Sequence, residues 1–253
     1  MKVFSSAAAV LLQSSRVIEE LPRMKYNMVS YYTVKNKDIT PILDNTDEVM
    51  VDSGAHSFQK GAVVEWESYT REYAAWIKKI DRPNIIAYFE MDVDNIIGYK
   101  KVLELRKILT DVSDKIVPVW HKNRGIEDFT EMCKTHSGKI VSTTGFRNED
   151  VTDDQYQLFL NEAWKYGCKL HCLGMTRKKV LDTIPFDYTD SSSWMQFLRY
   201  GILEGDKVNR LNAEDRYDAI IYAYKRFMKM QRWYENKWDR FKEINAVRGS
   251  SPA

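Results

Sequence analysis

Apolar and polar residues follow two alternating patterns along this chain. Eight short runs are mostly continuous rather than alternating in hydrophobicity, as expected of strands buried on both faces. They cover residues 2–6, 27–32, 48–53, 84–92, 115–121, 139–145, 169–175 and 186–191. Between them lie helical patterns. Trp66, Tyr69, Tyr73, Trp76, Ile77 and Ile80 recur three and four residues apart, and so do Tyr156, Phe159, Leu160, Ala163 and Trp164, ahead of a stop at Tyr166-Gly167. Residues 99–109 and 126–133 carry shorter versions. Eight strands alternating with helices predict an α/β fold of one domain, a (β/α)8 barrel of the TIM type, over residues 1–200. The alternative is a doubly wound open sheet. It usually has fewer strands and a glycine-rich phosphate loop, and the chain contains neither G-x-G-x-x-G nor a P-loop.

After Trp194 the pattern changes. A short helix is predicted at 195–200 and one or two more at 212–245, with Asn212 as N-cap and Asp215 three residues on. Residues 201–248 are therefore expected as C-terminal helices packed on or beside the barrel, and 249–253 as a tail. Phe227, Trp233, Tyr234, Trp238 and Phe241 are interleaved here with Lys225, Arg226, Lys229, Arg232, Lys237 and Arg240. Residues 225–248 hold eight Lys or Arg against three Asp or Glu, a net +5. One reading is a helix with aromatics on the barrel and a solvated basic face. The other is a docking surface for nucleic acid.

Composition narrows the class. The chain has 253 residues, of which 44% are hydrophobic and 29% charged, and its six prolines fall in no low-complexity tract, so a folded soluble protein is expected. A net charge of +2 neither demands nor excludes a nucleic-acid partner. Three cysteines, Cys133, Cys168 and Cys172, are too few and too odd for a disulfide framework and suit a reducing cytoplasm. Residues 1–12 have the outline of a short signal peptide, but two serines break the apolar run and no cleavage-like site follows; a first strand leading into a helix is the expectation. No segment reaches the ~20 apolar residues needed to cross a membrane.

The candidate chemistry sits at strand ends, where a barrel of this kind places its site. Those ends bring Asp52, Asp92, Asp94, His121, residues 143–145, Gly174, Met175 and Asp190 to one mouth. Asp52 is followed by Ser53 and Gly54, small residues that let a ligand approach the backbone. Carboxylates sharing a mouth push one another's pKa values apart, which suits one nucleophile and one acid/base. Asp187 and Asp190 are both candidates for the nucleophile. Being three apart, they face opposite sides of a regular strand, and Asp190 is preferred because it lies at the strand's end, followed by small residues.

These blocks carry a family resemblance. Val51-Asp52-Ser53-Gly54-Ala55-His56-Ser57-Phe58-Gln59 resembles the Asp-Ser-Gly-Gly-Phe-Gln signature of the tRNA-guanine transglycosylases. Residues 87–92 resemble the strand carrying that family's base-recognising aspartate, 117–121 the next strand end, and 170–176 its Leu-Met-Gly-Val-Gly strand. Residues 186–191 take the place of the strand with the nucleophilic aspartate. The similarity spans about residues 45–195 and is greatest to the short, mostly phage-encoded relatives that exchange guanine for a 7-deazaguanine in DNA; their Pro-Phe…Asp-Ser-Thr-Ser-Trp-like end resembles residues 185–194.

The resemblance implies a pentosyltransferase that needs no cofactor. Asp190 would be the nucleophile at C1′ of a guanosine and Asp52 the general base for the incoming base. Asp92 would recognise guanine N1–H and its exocyclic amine, with Ser53, Gly54, His121, Thr144, Gly145, Gly174 and Met175 lining the base pocket. The partners implied are DNA, alternatively tRNA, and a free 7-deazaguanine such as preQ0, with a homodimer allowed because the tRNA relatives are dimers. The tRNA enzymes bind zinc through a late Cys-x-Cys-x-x-Cys and a His. Here no cysteine follows Cys172 and no histidine follows His171, so the chain supplies no such site, and DNA is favoured over tRNA. Ala55-His56 also replaces the family's Gly-Phe/Tyr.

Rival readings are a metal-dependent barrel hydrolase using His121, His171, Asp52 and Asp190, a non-catalytic binding barrel, and a glycosylase that releases the base to water. Against the hydrolase, no His-x-His follows the first strand, and His171 is expected at the beginning of its strand. His136 and the three cysteines are expected to be structural.

Overall fold

The computed structural model describes residues 1–58, 64–144, 151–203, 206–207 and 213–249. Nine parallel strand segments form one sheet: β1 (Lys2–Ser5), β2 (Met24–Ser30), β3 (Thr46–Asp52), β4 (Ile85–Phe89), β5 (Ile116–Val117), β6 (Val119–Trp120), β7 (Ile140–Thr144), β8 (Lys169–Leu173) and β9 (Tyr188–Ser191). Their order is β5-β4-β3-β2-β1-β9-β8-β7-β6. The two edges, β5 and β6, are thus neighbours in the chain with only Pro118 between them, and the sheet is a nearly closed barrel.

The helices are α1 (Ser15–Glu19), α2 (Tyr31–Val34), α3 (Thr40–Asp44), α4 (Trp66–Ile80), α5 (Asp94–Ile97), α6 (Tyr99–Thr110), α7 (Gly125–Thr135), α8 (Tyr156–Lys165), α9 (Lys178–Leu181), α10 (Gln196–Tyr200) and α11 (Ala213–Gly249). A short antiparallel pair, β10 (Ile202–Leu203) with β11 (Asp206–Lys207), precedes α11. Among the described residues, no helix is long and apolar enough to cross a membrane.

Strand alternation splits the core in two. Phe4, Tyr26, Met28, Met50, Ala87, Phe89, Val117, Val119 and Tyr188 point inward and fill the barrel. Their neighbours, such as Val3, Val29, Val49, Val51, Tyr88, Val141, Leu170 and Cys172, point outward and bury against the helices. The near-continuous apolar runs in the sequence reflect this burial on both faces.

Proline cannot donate to a ladder, yet Pro118 lies where the barrel closes. The Pro118 carbonyl still accepts from Ser142 N–H at 3.0 Å, and Glu90 N–H donates to Val117 O at 3.1 Å. Past the proline, the Val119 N–H donates to the Glu90 carboxylate at 2.7 Å rather than to backbone. Glu90 is itself fully buried and held at both oxygens by Arg106, from Nε at 2.5 Å and Nη2 at 3.0 Å. A side-chain ion pair therefore completes the seam.

A comparable device joins α11 to the barrel. β1 and β2 pair only at Ser5 and Asn27. Below that point Gln231 of α11, wholly buried, donates from Nε2 to both Val3 O and Tyr26 O, each at 2.9 Å. Tyr224 donates to Asn27 Oδ1 at 2.7 Å, and Trp238 Nε1 donates to Leu181 O at 3.1 Å. The helix thus descends antiparallel to the strands, from the strand ends toward the opposite end of the barrel.

Three expected boundaries are corrected. The fourth strand, expected over 84–92, is Ile85–Phe89, so Asp92 follows it rather than ending it. The second strand is Met24–Ser30, not 27–32, because Tyr31 turns out of the sheet to pack against Tyr69, Tyr73 and Trp76 of the helix layer. The C-terminal region is one helix that includes Gly249, which had been expected in the tail. The expected N-cap Asn212 and residues 250–253 lie outside the described residues.

Candidate active site

The mouth is built by period-two alternation carried one step past the apolar interior. Phe4, Met28, Met50, Val119 and Tyr188 point into the barrel. Two residues beyond each come Ser6, Ser30, Asp52, His121 and Asp190. The same geometry that fills the barrel with apolar side chains delivers polar ones to its C-terminal rim.

Asp52 ends β3. The Gly54 N–H donates to its Oδ2 at 3.0 Å and the Ser30 hydroxyl bonds it from β2. Those bonds favour the charged form, but burial and the nearby Asp92 carboxylate outweigh them, and the Asp52 carboxyl is pushed up to about 6. Gly54 is required twice over. Its φ is +76°, and a Cβ there would meet Tyr32 Cβ at 2.3 Å and the Tyr32 backbone nitrogen at 2.9 Å. Ser53 is fully buried, and its carbonyl accepts from Tyr69 Oη at 2.8 Å, which anchors the loop to α4.

Asp190 lies on β9, facing inward and only 6% exposed. The Gly174 N–H donates to its Oδ1 at 2.7 Å and the Ser6 hydroxyl bonds it as well. Burial, with repulsion from Asp52, pushes this carboxyl up to about 6 too. Asp187 has a different setting. It lies just before β9, at the other end of the barrel, and its Oδ2 accepts from Trp164 Nε1 at 2.8 Å and Leu170 N–H at 3.0 Å. The structure places Asp190 at the mouth and Asp187 in the outer framework.

Further round the same rim from Asp52, His121 Nε2 contacts Asp92 Oδ1 and lies 3.7 Å from Asp94 Oδ1. Asp94 opens α5 and is buried, with the Asn95 backbone N–H beside its carboxylate and Arg124 Nη1 at 3.7 Å. Burial pushes its carboxyl up, with His121 and Arg124 acting against that. The Arg124 guanidinium stacks 4.0 Å above the Tyr99 ring and donates to Val119 O at 2.7 Å. One ligand atom each from Asp92, Asp94 and His121 fall within 4.8 Å of one another, so this trio has the donors and spacing to hold a divalent cation.

The remaining expected residues separate. Thr144 ends β7 with its carbonyl accepting from Tyr156 Oη at 3.3 Å, and Gly145 lies outside the described residues. Gly174 meets Asp190 through its backbone. Met175 is fully buried in the layer between sheet and helices. Of the C-terminal cations, Lys225, Arg226, Lys229, Arg232 and Arg240 are exposed. Lys237 is half-buried, donating to Asp182 O at 2.8 Å with Trp233 and Trp238 beside it. Because α11 runs away from the mouth, Lys225 and Arg226 are nearest the strand ends.

Sequence reasoning missed Ser6 and Ser30, although the strand-end rule that found Asp52 applies equally to them. It also placed His171 at the start of its strand. His171 is the third residue of β8, and its imidazole is wholly buried inside the barrel. Cys133, Cys168 and Cys172 are all buried thiols, as expected. Compared with protein-family models, with curated proteins and with solved structures, the chain matches none.

Proposed function

We propose that the chain is a nucleic-acid guanine transglycosylase, exchanging guanine in DNA for a 7-deazaguanine through an aspartyl-glycosyl intermediate. The observation that carries this reading is the pair Asp52 and Asp190. They stand at inward positions of two strand ends, both held near pKa 6, each with its own hydrogen-bond donors, and Asp190 feels the charge of Asp52. We read the segments either side of Pro118 as one strand, which makes the barrel eight-stranded, of the TIM type.

In this scheme a carboxylate oxygen of charged Asp190 bonds to C1′ as the C1′–N9 bond breaks. Asp52, protonated, gives its proton to the departing guanine. The resulting Asp52 carboxylate then takes N9–H from the incoming base, whose N9 bonds to C1′ and expels Asp190. Atoms and charge return to the start, as in retaining glycosyl transfer. A pKa near 6 lets Asp52 both give and take this proton near neutral pH. Asp92 suits a paired N–H donor on the base, and the target guanine has to leave its stack to enter the mouth. Lys225 and Arg226 are the cations best placed to meet the nucleic acid. The trio Asp92, Asp94 and His121 favours one other reading, a cation-dependent hydrolase.

The test is incorporation of labelled guanine into duplex DNA and tRNA, with Asp190→Ala as control. Label should enter DNA and be lost in the variant, and wild-type activity should survive a chelator. Label in tRNA alone would overturn the DNA assignment. Release of free guanine without exchange would make the protein a glycosylase, and absence of exchange together with a hydrolysis that chelation abolishes and a divalent ion restores would favour the hydrolase reading.

A further inference from the structure

The exchange scheme leaves one buried group beside the nucleophile unused. His171, on the strand next to Asp190, is 0% exposed, and its ring lies edge-on to Phe89 with centroids 4.8 Å apart. Its Nδ1 is paired with Ser142 Oγ at 3.2 Å. Its Nε2 has no hydrogen-bond partner, and Asp190 Oδ1 stands 3.8 Å away. A wholly buried ring nitrogen left unpaired beside a carboxylate is an arrangement that a core does not retain cheaply.

Burial pushes the imidazole down to about 3, so the ring is neutral at ordinary pH and carries one proton. The Ser142 hydroxyl lies 3.3 Å from the His171 carbonyl oxygen as well as 3.2 Å from Nδ1, and it has one proton to give. If that proton goes to the carbonyl, Nδ1–H donates to Ser142 and Nε2 presents a lone pair to Asp190. If it goes to Nδ1, Nε2–H faces Asp190. The ring can therefore match a protonated or a charged carboxyl by changing tautomer, without gaining charge. The other groups on Asp190 are the Gly174 amide and the Ser6 hydroxyl, which bond it, and the Asp52 carboxylate; the Cys172 thiol, on the outer side of the sheet, feels its charge.

We infer that His171 is a positioning residue for Asp190: relayed by Ser142, its Nε2–H holds the Asp190 carboxylate in its charged form. The inference rests on Asp190 being the nucleophile. As Asp190 bonds to C1′ its charge is lost, and it returns when the carboxylate is expelled; the Nε2 proton stays on His171 throughout.

The test uses His171→Phe, which keeps the ring's shape beside Phe89, His171→Gln, which restores an N–H near Nε2, and Ser142→Ala, which removes only the relay. The first readout is the carbon-13 titration of the Asp190 carboxyl in the free protein; the second is the pH profile of exchange. His171→Phe should raise the Asp190 midpoint by about one pH unit and slow exchange about tenfold at neutral pH. His171→Gln should recover most of both, and Ser142→Ala should fall between. Equal losses in the Phe and Gln variants with an unmoved Asp190 midpoint would overturn the inference and leave His171 a packing residue. If the wild-type protein exchanges no base, a midpoint that still moves sustains the His171–Asp190 coupling while the transglycosylase reading falls.

Discussion

Asp52 and Asp190 are residues that the fold strains to keep. Each is raised from 3.8 to about 6, mainly by burial. A carboxyl whose pKa is higher folded than unfolded binds protons more tightly in the folded state. Its stabilising contribution is full below about pH 3.8 and is lost as pH rises through about 6. At pH 7.5 each charged group then costs on the order of 2–3 kcal/mol. Asp52→Asn and Asp190→Asn should therefore each be more stable than wild type by about 1–3 kcal/mol at pH 7.5, with the gain fading below about pH 4. Urea unfolding at the two pH values checks this, and a loss at pH 7.5 would mean that the carboxylates serve the framework instead. Asp52 and Asp190 were both legible in the sequence, as acids ending apolar runs. Their raised affinity for protons was not, since it depends on which other strands surround them.

At the scale of elements, the barrel closes through Glu90 and Arg106. Removing the carboxylate leaves the Arg106 guanidinium, whose side chain is 11% exposed, without its counter-charge and leaves the Val119 N–H without its acceptor. Glu90→Ala should cost about 3–5 kcal/mol in chemical denaturation. A cost below about 1 kcal/mol would show that the seam is held by backbone and packing alone. Elements themselves were largely legible. Seven expected strands overlap one observed segment each, the run at 115–121 contains two, and the helices at 66–80 and 156–165 follow the apolar spacing closely. Register and seam were not legible, because nothing local to Glu90 marks it as the acceptor for an amide 29 residues away. Tyr31 was misread as strand because an aromatic packs equally well on a sheet or under a helix.

At the scale of the whole molecule, α11 combines two roles that the sequence alone could not separate. Its buried face, with Tyr224, Gln231, Tyr234 and Trp238, docks on β1, β2 and the loop before β9. Its outer face carries exposed cations, and Lys237 belongs to the docked side. The double substitution Lys225→Glu and Arg226→Glu should weaken duplex DNA binding and reduce the log–log salt slope by about 2, with stability changed by less than about 0.5 kcal/mol. Lys237→Glu should instead destabilise by about 1 kcal/mol, placing a carboxylate against Asp182. Anisotropy titrations across a salt series, with thermal unfolding alongside, read both effects. An unchanged salt slope would move the nucleic-acid surface off this helix.

Hydrophobic periodicity determined the element order and the parallel α/β class, because burial on both faces forces continuous apolar strands and amphipathic helices whatever the partners. It also marked Asp52 and Asp190 as strand-end acids, though Asp92 and Asp94 fall past their strand, and the spacing of Asp187 and Asp190 already separated their faces. Only the tertiary structure decided which strands became neighbours. That choice set Asp52 and Asp190 on one mouth, placed His171 behind Asp190, gathered Asp92, Asp94 and His121, and turned the basic half of α11 away from the strand ends. Those relations are long-range contacts between segments tens to hundreds of residues apart, and no local pattern encodes them.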